Sequence, residues 1–504
     1  MTIGSKCEFA KSSVIITFLL SLIFAEAKPP NVVVILTDDQ GYADISFNPD
    51  HPKEVATPHM DALAREGVFF TQAYTSGAVC SPTRAGLMLG LYQQRLGIYT
   101  AGDGGRGFDP RTKIFPSFLP DDYTSMVVGK WHMGLDTDYP KLSMHALNRG
   151  FDECYKFMGR GGHDYFKLQG VKGTDYAPIY RNKTRLKDSD YSGYLTTRLT
   201  EEAVAFIERQ EQKPFFLYLA YNAVHSPAQA PKEDIERMQK RFPHLDKKRA
   251  ILLAMLEHLD NGVGTVVNKL KAEGVWENTL LFFLTDNGGS KAMQANNGRL
   301  RAFKGSLYEG GIRVPAVLEW PARVKANRIT DINANTSDIY PTLLELAGVA
   351  LPKNQPRLDG ISLAPLLRGE KQVRKQPMGF WTYHNRGYGR HARRMLEALR
   401  QEQLDGNQQP AAPEGQIGRF HTADNLPGHS AWIEGDYKLH RIPVKKNATQ
   451  FNYELYHLVN DPKESNNLLN EDKSRLAKRF GRMKADLVTW QQSVINSLNG
   501  RDYR

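Results

Sequence analysis

Val32-Val33-Val34-Ile35-Leu36 runs without a break into Thr37-Asp38-Asp39. A continuous apolar run rich in β-branched residues reads as a strand buried on both faces. The strand ends on two carboxylates. In parallel α/β sheets, ligands bind beyond the carboxyl ends of the strands. Asp38 and Asp39 therefore stand where a site is expected.

The same arrangement recurs along the chain. Ser125–Val128 runs into Gly129-Lys130-Trp131-His132, Phe215–Leu219 runs toward His225-Ser226-Pro227, and Leu280–Leu284 runs into Thr285-Asp286-Asn287. Each strand end alone reads as an ordinary turn. Their repetition at the same end of successive strands points to one shared pocket. Helices are expected between the strands. Thr57-Pro58 supplies an N-cap and a first-turn proline, Met60, Leu63 and Ala64 an apolar face, and Gly67 a stop. Leu199–Arg209 and Lys247–Ala272 are further helix candidates. Alternating strands and helices predict an α/β fold, a large mainly parallel sheet sandwiched by helices.

The texture changes after Asp359-Gly360-Ile361-Ser362. Residues 28–375 read as the catalytic domain and 376–504 as a smaller C-terminal α+β subdomain with an antiparallel sheet. Ser430–Ile433 and Tyr437–Ile442 are its strand candidates, and Ser474–Ser497 its terminal helix. Residues 384–428 form a polar, basic insertion with a helix candidate at Arg393–Gln403. No internal repeat is visible.

The 504-residue chain has ordinary globular composition, 41% hydrophobic and 24% charged. Its N-terminus differs. Lys6 and Lys11 precede the apolar run Val14–Phe24, which ends in Ala25-Glu26-Ala27. Residues 1–27 read as a secretory signal peptide, giving an exported, periplasmic or secreted protein. The alternative is a membrane anchor, but the run is short for a span, and no stable membrane insertion is expected. The formal net charge is +11, which suits an anionic partner or scattered surface cations. Nucleic acid is not an expected partner. Cys7 lies in the leader, leaving Cys80 and Cys154, so no disulfide framework is present. A Cys80–Cys154 bridge would consume the next motif, and Cys154 reads as a small buried hydrophobe.

That motif is Cys80-Ser81-Pro82-Thr83-Arg84-Ala85-Gly86. Pro82 suits the first turn of a helix. Cys80 then sits at a helix N-terminus, where free N–H groups favour negative charge. On this ground alone Cys80 could be a thiolate nucleophile. Asp38, Asp39, Asp286 and Asn287 are oxygen donors, a set that suits calcium or magnesium better than zinc.

Cys80-x-Pro82-x-Arg84 resembles the signature of the type I, formylglycine-dependent sulfatases of the alkaline phosphatase-like superfamily. Asn31–Gln40, Cys80–Gly90, Gly129–Gly134, Tyr221–Pro227, Thr285–Gly289 and Lys304–Pro315 look like that family's blocks, in its order, and Tyr453–Tyr456 with Asp461–Glu464 fits its tail. Thr83 and Met133 stand where serine and leucine are common.

The resemblance implies that Cys80 is oxidised to formylglycine by a formylglycine-generating or anaerobic maturation enzyme. Its hydrate attacks sulfur to give a covalent sulfo-enzyme. It implies catalytic roles for Cys80, Arg84, Lys130, His132, His225 and Lys304: Arg84 on the hydrate, Lys130 and Lys304 on sulfate oxygens, His225 as donor to the leaving alcohol, His132 at the release step. Asp286 would also help deprotonate the attacking hydroxyl. One divalent cation, Ca2+ ahead of Mg2+, would be held by Asp38, Asp39, Cys80, Asp286 and Asn287. The arginine-rich segment His384–Arg400 makes a sulfated polysaccharide or its oligosaccharides the expected substrate class. Substrate binding falls to Lys130, His225 and Lys304, with Arg390 and Arg394 from the arginine-rich segment His384–Arg400. The alternative for that segment is a solvated basic helix face. The turn Arg160-Gly161-Gly162-His163-Asp164 is a candidate pocket wall. A phosphodiesterase or phosphonate monoester hydrolase of the same superfamily is the competing activity. A non-catalytic glycan-binding relative predicts a decayed site, whereas every expected position is filled. Asn182, Asn335 and Asn447 lie in glycosylation sequons.

Overall fold

The Val32–Leu36 run lies at the centre of a large sheet. The computed structural model describes residues 28–102, 107–108, 112–134, 144–157, 162–168, 178–351, 353, 355, 357–370, 373–382, 426–444, 450–471 and 473–498. The leader at 1–27, Arg160 and Gly161, the arginine-rich segment with Arg390 and Arg394, nearly all of the 384–428 insertion, and Asn447 lie outside the described residues.

The strands in chain order are β1 (Asn31–Thr37), β2 (Val68–Tyr74), β3 (Thr124–Lys130), β4 (Glu153–Phe157), β5 (Ile179–Arg181), β6 (Thr184–Arg185), β7 (Phe215–Ala220), β8 (Thr279–Thr285), β9 (Arg313–Glu319), β10 (Arg328–Thr330) and β11 (Ala334–Asn335). Their order across the sheet is β10-β2-β9-β8-β1-β7-β3-β4-β5-β6, with β11 beside β2. The central strands β8, β1, β7, β3 and β4 are parallel. β9 runs antiparallel to both β2 and β8, and β5 and β6 form an antiparallel edge. The sheet is thus mixed but mostly parallel.

β2 and β9 carry weak strand signals in the sequence. Thr71 and Gln72 interrupt the apolar run of β2, and Pro315 sits inside β9. The β2–β9 register shifts between Phe70 and Ala73, opposite Pro315. A bulge tolerates a residue that has no N–H to give the ladder.

Helices α1 (Pro58–Glu66), α2 (Cys80–Leu89), α3 (Leu195–Glu208), α4 (Lys232–Arg241) and α5 (Lys247–Ala272) cover the sheet. β1 alternates between two cores. Val33 and Ile35 pack with Met60, Leu199, Phe206 and Leu259 from α1, α3 and α5. Val32, Val34 and Leu36 pack with Ala85 and Leu87 of α2 and Ile339 on the opposite face. Burial on both faces is what the unbroken apolar run required. α5 is apolar enough to cross a membrane, but 72% of its apolar window is buried inside the protein, as in a core helix. Thr57 does precede α1, yet its side chain makes no cap bond. Its hydroxyl instead accepts from Ser46 N at 2.8 Å and donates to Asp61 Oδ1 at 3.0 Å.

A second sheet is antiparallel, in the order β12 (Met378–Thr382), β13 (His429–Glu434), β14 (Tyr437–Pro443) and β15 (Phe451–His457). One face carries Trp381, Trp432 and Leu439 against Met483, Leu487 and Trp490 of the terminal helix Lys473–Leu498. The other face sets Phe380, Ala431 and Ile433 against Tyr74 and Ile312 of the large unit. Cys80 and Cys154 are both free and buried.

Candidate active site

Parallel strands deliver their C-terminal residues to one end of a sheet. Here β1 ends at Asp38 and Asp39, β3 at Lys130 and His132, and β8 at Asp286 and Asn287, while the loop after β7 carries His225. Backbone bonds lash these ends together: Asp38 N to Ala223 O at 2.9 Å, Val224 N to Asp38 O at 2.7 Å, and Asp286 N to Thr37 O at 3.1 Å. Asp39 and His132 adopt positive φ, 62° and 52°. Non-glycine residues in that region collect at functional sites.

α2 begins at Cys80, with Pro82 in its first turn. The side chain of Thr83 donates to Gly77 O at 2.9 Å, so a hydroxyl at this position ties the loop before the helix to the helix. Lys304 Nζ lies 3.3 Å from Cys80 Sγ and 2.5 Å from Asp39 Oδ1. Burial pushes the Cys80 thiol up, but Lys130 and Lys304 outweigh it and hold the thiol well below its ordinary range.

Arg84 is completely buried. Its Nε and Nη2 donate to Asp286 Oδ2 at 3.0 and 2.7 Å, and its Nη1 to Lys130 O at 2.9 Å. The guanidinium fork therefore ties β8 to β3. Lys130 Nζ donates to Asp38 Oδ2. Burial raises the Asp38 carboxyl, but Lys130 and His225 reverse this and lower it overall. Burial and the neighbouring Asp38 push Asp286 up to about 8.

His225 Nε2 lies 3.7 Å from Asp39 Oδ2, and its Nδ1 lies 2.8 Å from Ser226 O. Burial lowers its pKa, but Asp39 and Asp38 overcome this and raise it. His132 differs. Burial pushes it down to about 4, and both ring nitrogens lack a hydrogen-bond partner. Cys80 is within its electrostatic reach, but no bond of good geometry joins them.

Asp38, Asp39, Cys80 and His225 each offer an atom within 4.8 Å of the others, close enough to share a metal ion. Asp286 Oδ1 touches Asp39 N at 3.4 Å, and Asn287 Nδ2 touches Asp39 Oδ1 at 2.8 Å. Of the five residues read from the sequence as ligands, Asp38, Asp39 and Cys80 thus share one cluster with His225, which the sequence reading had not placed among them, while Asp286 and Asn287 adjoin that cluster through Asp39. Two buried oxygens, Asp38 Oδ1 and Asn287 Oδ1, have no hydrogen-bond partner. Unpaired buried oxygens are costly, and a hard cation would satisfy them. The donor set therefore fits a divalent cation.

Residues 30–349 match the Sulfatase family. The chain belongs to the sulfatase family. Sulfatases are sulfuric ester hydrolases, and this chain is one of them. Residues 301–403 also match the C-terminal part of N-sulphoglucosamine sulphohydrolase. N-acetylgalactosamine-6-sulfatase of Canis lupus familiaris is 31% identical over 382 residues, covering 70% of this chain and 69% of that protein. Human arylsulfatase A is 32% identical over 383 residues, covering 71% of each. The crystal structure of Ps i-CgsB in complex with k-i-k-neocarrahexaose aligns with a TM-score of 0.74 at 29% identity, covering 95% of each chain.

Some residues that hold the sulfatase site together gave no sequence signal. Asn297 Oδ1 accepts from Tyr42 N and Gly289 N, while its Nδ2 donates to Ala302 O and Gly310 O. That one amide braces the loop bearing Lys304. His163 and Asp164, expected in a pocket wall, are buried. They act as braces: His163 O accepts from Asn222 Nδ2 at 3.1 Å, and Asp164 Oδ2 from Gln229 Nε2 at 2.9 Å. A cavity of about 620 Å3 lies elsewhere, lined by Glu66, Lys271, Trp276 and Glu319.

Proposed function

We propose that this sulfatase removes sulfate from sulfated polysaccharides or oligosaccharides, using formylglycine made from Cys80 and one divalent cation, Ca2+ ahead of Mg2+. The observation that carries the reading is the Lys304 ammonium 3.3 Å from Cys80 Sγ at the head of α2. A cation and a helix N-terminus converge on the atom that must meet an anion. The glycan class is supported by relatives that act on N-acetylgalactosamine 6-sulfate, by their name, or bind a carrahexaose.

Hydrated formylglycine supplies the nucleophile. Asp38, Asp39, Cys80, Asp286 and Asn287 would hold the cation, which when bound would supply Lewis-acid polarisation of the sulfate. Lys304 and Lys130 offset the negative charge that grows on the sulfuryl oxygens. His225, whose raised pKa keeps it protonated further up the pH scale, donates a proton to the departing sugar oxygen. His132, kept neutral by burial, can accept a proton beside Cys80 at the release step. Arg84 clamps Asp286 and supports the hydrate. Arg390 and Arg394 add contacts to further anionic groups of the glycan. The leader at 1–27 would direct export, after maturation of Cys80 by a formylglycine-generating or anaerobic enzyme.

Mass spectrometry of the Cys80 peptide, paired with a screen of defined sulfated oligosaccharides, tests this reading. An aldehyde at Cys80 and sulfate release are expected. A fully active preparation with an intact Cys80 thiol would overturn the mechanism.

A further inference from the structure

Phe166 is 40% exposed, and the other exposed large apolar side chains among the described residues are aliphatic: Ile329, Val373, Val444 and Val459. An exposed aromatic ring is unexceptional alone. This one is held in place. Asp164 Oδ1 accepts from Phe166 N at 2.8 Å and Lys167 N at 2.9 Å. Tyr165 N donates to Gln229 Oε1 at 3.0 Å. The Phe166 ring leans on Tyr194, centroids 5.3 Å apart.

Its position matters more. The Tyr165 hydroxyl lies 2.9 Å from both the Asn222 and His225 carbonyl oxygens. Adding a tyrosine side chain and one Cα step puts the Phe166 Cα no farther than about 13 Å from the His225 carbonyl oxygen. His225 donates its proton to the departing sugar oxygen. The side of the cleft that holds His225 is therefore the side that holds sugar, while Lys304 and Cys80 hold sulfur. We propose that Phe166 is the stacking platform for a pyranose ring of the leaving glycan. This rests on the glycan reading above. The ring's apolar face would meet the C–H face of the sugar, a contact that needs no hydrogen bond. Lys167, exposed and next in the chain, adds a cation suited to a sugar bearing further anionic groups.

The test compares wild type, Phe166→Ala and Phe166→Trp on neocarrahexaose and on oligosaccharides bearing N-acetylgalactosamine 6-sulfate. Inhibition by inorganic sulfate reports the sulfur pocket alone. Phe166→Ala is expected to raise KM for the better oligosaccharide about tenfold. Its kcat and sulfate inhibition should stay within about twofold of wild type. Phe166→Trp should restore KM, which a loss of folding would not permit. A Phe166→Ala KM within about twofold of wild type overturns the platform and leaves the glycan reading standing. A wild-type enzyme that turns over aryl sulfate but no sulfated oligosaccharide overturns both.

Discussion

Lys304 Nζ sits 3.3 Å from the sulfur of Cys80. The same nitrogen lies 2.5 Å from Asp39 Oδ1, so one ammonium bridges the motif cysteine and the carboxylate cluster. Lys304→Met keeps the stem and removes the charge. It is expected to lower kcat/KM on an aryl sulfate by about 10²–10³, and to lower the melting temperature because the buried Asp39 loses its ammonium partner. Steady-state kinetics beside a thermal melt check this. A loss under about fivefold would contradict a transition-state role.

Arg84 and Asp286 are both fully buried, 2.7 Å apart. Removing Arg84 leaves the buried Asp286 and Asp38 carboxyls and the Lys130 carbonyl without their guanidinium partner. Arg84→Met is expected to destabilise the fold by about 3–5 kcal/mol. Adding Asp286→Asn should recover part of that loss. Urea unfolding of the two variants measures both terms.

His225 is expected to set the alkaline limb of the activity profile. Asp39 and Asp38 raise its pKa above the imidazole value despite burial. A proton donor works only while protonated, so kcat/KM falls as pH rises through that raised value. His225→Ala should lose this limb. It should also slow sugar sulfates far more than 4-nitrophenyl sulfate, whose leaving group needs no proton. Equal slowing of both substrates would remove His225 from the donor role.

Chelation is expected to cut activity and lower the melting temperature, with recovery on adding Ca2+. Asp286 is pushed up to about 8 by burial and Asp38 in the metal-free protein. Metal binding must then expel a proton, and affinity should climb with pH toward about 8. Titration calorimetry in two buffers of different ionisation enthalpy reads that proton directly.

Glu319 ends β9, is 1% exposed, and its Oε2 has no partner. Burial and Glu66 push its carboxyl from 4.5 up to about 8. The folded protein keeps a proton that the unfolded chain sheds between those values. Stability is therefore full below the lower value. It falls by up to about 1.4 kcal/mol per pH unit as pH rises toward the upper one. Glu319→Gln should flatten that slope, giving a variant whose advantage over wild type grows from about pH 5 to 8 in urea unfolding.

Much of the site was legible because its residues follow strands. Asp38, Lys130, His225 and Asp286 sit after apolar runs that must be buried, and burial fixes which end of the sheet each reaches. The central strands were visible for the same reason. β2 and β9 were not, because polar residues and Pro315 interrupt them and only the bulge between Phe70 and Ala73 reconciles their pairing. Asn297 and Tyr165 left no trace in the sequence either. Their work is to bond backbone atoms far along the chain, and spacing carries no record of such contacts.

Local order along the chain determined the parallel core, the helix that begins at Cys80 and the family. Each is set by short-range pattern: apolar continuity, a first-turn proline, ordered blocks. Tertiary structure decided the charges. Cys80 is held low, Asp286 high, His225 high and His132 low by burial and by neighbours brought from distant strands. Electrostatic energy depends on distance through space and on the exclusion of water, and only the folded chain supplies either.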